Sequence, residues 1–119
     1  MDKQKFYQIL DRLLERTKEG KLEWESTVNN DTFLVALEDA AISITKLNNY
    51  YSFDFMDAIG HTVDKELISD RDFSIDSFSE FEGDPENPYE KTKRIFDLAR
   101  NQSLKPEQTV DRILEQLAA

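Results

Sequence analysis

The sequence predicts a single α+β domain over residues 1–119, in which an antiparallel β-meander of four or five strands packs against helices. Apolar residues recur at helical spacing near both ends of the chain, and they alternate with polar residues in the middle. Hydrophobic residues make up 39% of the 119 residues, which suits one modest core and leaves little room for a second domain.

Residues 2–19 are predicted to form the first helix, because their apolar side chains return every three or four positions and make one stripe. The stripe consists of Phe6, Ile9, Leu10, Leu13 and Leu14. Gly20 follows where a glycine often ends a helix, since glycine adopts the left-handed conformation at little cost.

The period changes from helical to alternating after Gly20. Trp24, the only tryptophan, has a glutamate on each side, so it is predicted to be a core anchor on a half-buried strand, with an exposed stacking platform as the alternative. Further strands are expected around residues 33–37, 42–44 and 50–56, with turns at 29–31, 38–39, 47–49 and 57–60. Residues 61–68 fit either a fifth strand or a short helix.

Two helices are predicted near the end of the sequence. Asn87, Pro88 and Glu90 form a helix start for residues 88–102, which bury Tyr89, Phe96 and Ala99 with either Thr92 or Ile95. Pro106 opens the last helix, whose stripe is Val110, Ile113, Leu114 and Leu117. This helical hairpin and the first helix are expected to cover one face of the meander.

Most of the surplus negative charge lies in one segment. The chain has a formal net charge of −10, and residues 70–90 hold eight acids and one base, a net of −7. In this segment, a predicted long loop over 70–88, aromatic residues alternate with carboxylates. They either tuck onto the meander or form a docking surface for a basic protein partner. The predicted partner-binding residues are Phe78, Glu80, Phe81, Glu82, Asp84 and Glu86.

Residue types needed for most catalytic and metal sites are scarce. The chain has no cysteine, three glycines and one histidine, so thiolate chemistry, a Gly-rich phosphate loop and a histidine triad are not expected. We therefore expect neither an enzyme nor a cofactor or metal site. The acidic balance argues against direct binding of nucleic acid or of an anionic membrane, and no apolar run predicts a leader or membrane span. A cytoplasmic protein is expected.

Two stretches, LLERTKEGKLEW from residue 13 and YEKTKRIFDLARNQSLKPEQTVDRILEQL from residue 89, flank the predicted meander. In this arrangement the chain resembles a loose group of small uncharacterised bacterial and phage-borne proteins. The resemblance implies an α+β fold and an accessory-genome setting, and it supplies no active-site residues.

The leading hypothesis is a non-catalytic acidic protein-binding module that acts as a regulator or inhibitor. One alternative is a small-ligand sensor or sequestering protein, with a pocket near Trp24, Tyr50 and Tyr51 between the meander and the helices. Another is an inhibitor whose spaced carboxylates mimic nucleic-acid phosphates. A homodimer formed through the terminal helices or an open strand edge is a further possibility.

Overall fold

A computed structural model describes residues 1–73 and 86–118, without the side chains of residues 73, 106 and 107. It has three α-helices, five strands and one short 3₁₀ turn within these residues. The helices are α1 (Lys3–Lys18), α2 (Pro88–Leu104) and α3 (Pro106–Ala118). The strands are β1 (Trp24–Ser26), β2 (Thr32–Ala36), β3 (Ala40–Lys46), β4 (Tyr50–Asp57) and β5 (Thr62–Ser69), and the 3₁₀ turn covers Asp70–Phe73.

The strands form one antiparallel sheet in the order β1-β2-β3-β4-β5, so each strand pairs with its neighbour in sequence. This confirms the predicted meander and shows that the segment 61–68, left open between strand and helix, is a strand. The turns at 38–39 and 48–49 close two-residue hairpins, through bonds from Leu37 N to Ala40 O and from Leu47 N to Tyr50 O, both 2.8 Å.

The first helix begins and ends with local hydrogen bonds. The side chain of Asp2 accepts from the Gln4 N–H at 3.0 Å, which satisfies one free donor of the first turn. Gly20 has φ +73°, and the N–H groups of Gly20 and Lys21 donate to the carbonyls of Thr17 and Arg16. This is a Schellman motif, and it confirms the predicted glycine stop.

α1 and α2 pack side by side on one face of the sheet, and the core lies between these two layers. Phe6 of α1 packs edge-on against Phe53, with ring centroids 5.4 Å apart, and Phe96 of α2 packs against Phe33 at 5.3 Å. Three inward-facing residues of β4, Tyr51, Phe53 and Phe55, are buried as the alternation predicted.

The start of α2 agrees with the prediction, since the Glu90 N–H donates to the Asn87 side chain at 2.8 Å. Thr92 and Ile95 are both fully buried, so the expectation that only one of them faces the core was too narrow. The Thr92 hydroxyl donates to the Pro88 carbonyl at 2.8 Å, which satisfies a polar group that would otherwise be costly to bury.

α3 does not cover the sheet, and that part of the prediction is wrong. Its four stripe residues are exposed: Val110 by 53%, Ile113 by 49%, Leu114 by 61% and Leu117 by 80%. Lys105 alone joins α2 to α3, with φ +46°, and it turns the chain so that α3 makes no extensive contact with another described element. The amphipathic pattern was right, but its apolar face packs against none of the described elements.

Candidate functional site

Trp24 is a core residue, as the sequence predicted. Its side chain is only 3% exposed, and its Nε1–H donates to the Thr17 hydroxyl on α1 at 3.0 Å. That bond satisfies the polar end of the indole, so the ring can be buried without an unpaired donor. An exposed stacking platform at Trp24 is therefore not what this structure shows.

The free edge of β1 is covered by side chains from the end of α2. The Gln102 carboxamide accepts from the Trp24 N–H at 3.0 Å and donates to the Leu22 carbonyl at 2.8 Å. The Ser103 hydroxyl donates to the Trp24 carbonyl at 2.8 Å. Edge strands with unpaired backbone groups are open to pairing with other chains, and these three bonds occupy the short β1 edge.

The structure does not bring together the three residues of the predicted ligand pocket. Tyr51 is 3% exposed on the inner face of β4, while Tyr50 is adjacent to it and so faces the opposite side of the sheet. Trp24 lies on β1, three strands away in the sheet order. Burial raises the pKa of Tyr51 to about 12, with smaller contributions from Tyr89 and Asp97, as expected for a core phenol.

Most of the predicted docking residues lie outside the described residues; these are Phe78, Glu80, Phe81, Glu82 and Asp84. Glu86 is described, and its Oε1 pairs with the Nη1 of Arg94 on α2. At the other end of this segment, Asp72 accepts from the Ser69 N–H at 2.9 Å. These contacts hold the described ends of the segment to the domain.

His61 and its neighbouring carboxylate stabilise a turn. Asp57 Oδ1 accepts from the N–H groups of Ile59 and His61 at 3.0 and 2.9 Å, and the His61 side chain is exposed. Among the described residues, no group of three or more His, Cys, Asp or Glu side chains could hold a metal ion. The helices within this part of the chain are too short or too polar to cross a membrane.

An open apolar groove of about 740 Å³ lies between α1 and the ends of β2 to β5, and we call it the α1 groove. Its floor and walls are mostly apolar, and they include Ile9, Leu22, Leu37, Phe55, Met56 and Val63. Three exposed cations of α1 also line it, namely Lys5, Arg12 and Arg16. Such a groove can take an apolar surface that carries negative charge along one edge.

A further apolar surface that no described residue covers is the exposed face of α3, and we call it the α3 stripe (Val110, Ile113, Leu114 and Leu117). On a helix, Asp111 is the neighbour of Leu114 at a spacing of three, and Glu115 is one turn further along the same edge. The α3 stripe is thus bordered by carboxylates on one side. Thr109 and Gln116 border it on the other side without charge.

The sequence predicts the α3 stripe but not the α1 groove. A signal was present, because Lys5, Arg12 and Arg16 are spaced by seven and four residues and so share one face of α1. The walls, however, come from strand ends and connections that are distant in sequence. Only the fold shows that Leu37, Met56 and Val63 meet beside α1.

Comparison of the chain with protein families, with curated proteins and with solved structures finds no match.

Proposed function

We propose that this chain is a non-catalytic protein-binding module that regulates or inhibits a partner by occupying one of its surfaces. The α3 stripe is the observation that carries the proposal. Four large apolar side chains on one helix face are about half exposed or more, and they form a contiguous row rather than scattered residues. Contiguous apolar rows of this kind on a folded domain mark interaction surfaces.

The chemistry of α3 favours a partner whose apolar docking site has a basic rim. The α3 stripe would supply the desolvated anchors, and Asp111 and Glu115 would select for cations beside them. The acidic segment 70–88 acts in the same direction, because its carboxylates would also attract a basic protein. Its role stays a prediction from the sequence.

The test is affinity capture with matched variants, followed by identification and binding measurements on the purified partner. Leu114→Glu places a charge in the centre of the α3 stripe, and Val28→Glu adds the same charge at an exposed apolar residue in the β1–β2 connection. We expect a basic partner to bind the intact chain and Val28→Glu, and to lose at least about ten-fold in affinity for Leu114→Glu.

A partner that binds all three proteins equally would remove the α3 stripe from the proposal. A further variant tests the acidic segment separately. In it, Glu80, Glu82, Asp84 and Glu86 are changed to Gln or Asn. Equal binding of that variant and the intact chain would show that the segment is not a docking surface.

A second candidate is the binding of a small amphipathic anion in the α1 groove. The volume of about 740 Å³ lies within the range of ligand pockets, and the cations of α1 would meet an acidic head group. Dodecanoate is a suitable probe, and we expect it to raise the thermal midpoint of the intact chain but not of a Val63→Glu variant. An unchanged midpoint in both proteins would exclude this candidate.

A further inference from the structure

We infer that a second copy of this chain covers α3, with the α3 stripe of each protomer seated in the α1 groove of the other. The inference rests on the proposed function, and it names the partner that the geometry fits. Both surfaces are on the same molecule, both are apolar, and neither is filled within the described part of one subunit. Their charges are opposite.

The charge pattern is the first support. The cations of the α1 groove lie on one wall only, because Lys5, Arg12 and Arg16 all belong to α1. The carboxylates of α3 also lie on one edge only, at Asp111 and Glu115. Seating the α3 stripe in the groove fixes the rotation of α3 about its axis. The charges then determine the direction in which α3 lies along α1, because reversing the helix would turn its uncharged edge toward the cations.

The lengths of the two surfaces also agree. From Lys5 to Arg16 the cations extend over roughly 17 Å at the helical rise of about 1.5 Å per residue. The 13 residues of α3 extend over about 20 Å at the same rise. A helix of this length therefore spans the basic wall, with all four apolar side chains of the α3 stripe within its reach.

The connection between α2 and α3 favours a second copy over the subunit's own groove. Lys105 alone links the two helices in a left-handed conformation, and its N–H donates to the Asn101 carbonyl while its carbonyl accepts from the Gln108 N–H. These bonds set the direction of α3 away from its own core. Folding back would require the connection to change, whereas docking on another protomer leaves it as it is.

Reciprocal exchange gives a closed two-fold dimer, because each protomer offers one α3 stripe and one α1 groove. The total surface buried in the dimer is then divided between two identical helix–groove contacts. A stable interface of about 1,600 Å² in total needs roughly 800 Å² from each helix–groove contact. One contact alone would be small, so the two helices are expected to bind and dissociate together.

The first test is sedimentation velocity over a range of protein concentrations. We expect a reversible monomer–dimer equilibrium for the intact chain and for Val28→Glu, with dimerisation at least about ten-fold weaker in Leu114→Glu. Circular dichroism of the three proteins should be equal, because Leu114 is exposed in the monomer. A monomer at every concentration, or a dimer that Leu114→Glu leaves unchanged, would overturn the inference.

The second test identifies the contact by disulfide trapping, which is clean because the chain contains no native cysteine. Met56→Cys places a thiol in the α1 groove, and Leu114→Cys places one in the α3 stripe. Mixing the two proteins under mild oxidation should give a mixed dimer faster than mixing Leu114→Cys with Val28→Cys. Equal rates in the two mixtures would overturn the proposed contact.

A chain that carries Met56→Cys and Leu114→Cys together distinguishes the subunit's own groove from that of a second copy. A disulfide within one chain, at a rate independent of concentration, would show that α3 folds onto its own subunit and would overturn the inference. The outcomes also separate the two proposals. A monomer whose partner binding depends on α3 would leave the proposed function standing without the inference, while an α3-dependent dimer with no other partner would restrict the protein-binding role to self-association.

Discussion

α2 and α3 are consecutive amphipathic helices, yet one is part of the core and the other is not. In α2, Thr92, Ile95, Phe96 and Ala99 are buried. In α3, every described side chain is exposed. Amphipathic spacing therefore shows that a helix face needs a partner, and it does not show which molecule supplies that partner.

Specific polar contacts account for the different position of α2. Gln102 and Ser103 bind the backbone of β1, Asn87 caps the first turn, and Lys91 pairs with Asp11 on α1 at 2.6 Å. α3 has no comparable contact to the sheet among the described residues. These bonds fix where α2 lies, and its apolar stripe then packs beside α1 on the same face of the sheet.

The largest expected effect comes from removing an anchor of α2. Phe96→Ala deletes a ring that packs against Phe33 at 5.3 Å and Tyr51 at 5.5 Å. We expect it to lower the free energy of unfolding by about 3–5 kcal/mol, because it removes buried area and leaves a cavity. Urea unfolding followed by circular dichroism measures the change. A loss below about 1 kcal/mol would mean that α2 is not a core helix.

The next effect concerns the bonds between α2 and the β1 edge. Gln102→Ala removes the partners of the Trp24 N–H and the Leu22 carbonyl, and we expect a loss of about 2 kcal/mol in unfolding free energy. Gln108→Ala is the matched control, since Gln108 is an exposed residue of α3. Equal stability of the two variants would show that the β1 edge is satisfied by water instead.

The pKa of Tyr51 adds a smaller, pH-dependent effect at the contact between β4 and α2. Its pKa is raised to about 12 in the folded state, so between about pH 10 and 12 the unfolded chain loses this proton while the folded chain keeps it. The contribution of Tyr51 to the free energy of unfolding is therefore fully present below the unfolded-state pKa of about 10. It falls as the pH rises through this window.

At pH 11 this titration should cost about 1 kcal/mol relative to pH 8. Tyr51→Phe keeps the ring and removes the titration, so its own loss over the same interval should be smaller by that amount. Urea unfolding of both proteins at the two pH values makes the comparison, because the other titrating groups are common to both. Equal losses would contradict the assigned burial of the phenol.

The smallest expected effect is in α3. Leu114→Ala should change the unfolding free energy of dilute monomer by no more than about 0.5 kcal/mol, because the side chain is 61% exposed and packs on no core. If a second copy covers α3, the loss should grow with protein concentration, since dimerisation stabilises only the folded chain. A large loss at high dilution would show that α3 packs on its own subunit.

Local patterns predicted most of the fold, because the signals for its elements lie within a few residues of each other. Gly20 ended α1, Asn87 began α2, and the alternation of Tyr51, Phe53 and Phe55 gave the inward face of β4. The same reasoning predicted Trp24 as a core residue. It also predicted the α3 stripe, although not its exposure.

What the sequence did not predict depends on contacts between distant residues. Gln102 and Leu22 are 80 positions apart, and no local sequence pattern near either residue predicts their hydrogen bond. The α1 groove likewise joins a helix to the ends of two hairpins, β2–β3 and β4–β5. Trp24, Tyr50 and Tyr51 shared an aromatic character that suggested a pocket, but the sheet order and the alternation of faces separate them. The docking role of the residues predicted in the acidic segment, Glu86 included, remains a prediction.

The closure of the β1 edge by Gln102 and Ser103 has a consequence during synthesis on the ribosome. All five strands and α1 are complete once Ser69 has emerged, but the residues that cover β1 come more than thirty positions later. Until then a nascent chain presents bare backbone donors and acceptors at that edge, where neighbouring chains of a polysome could add a strand. Slow translation between Ser69 and Ser103 would lengthen this exposure, so synonymous codons there should influence the yield of correctly folded protein.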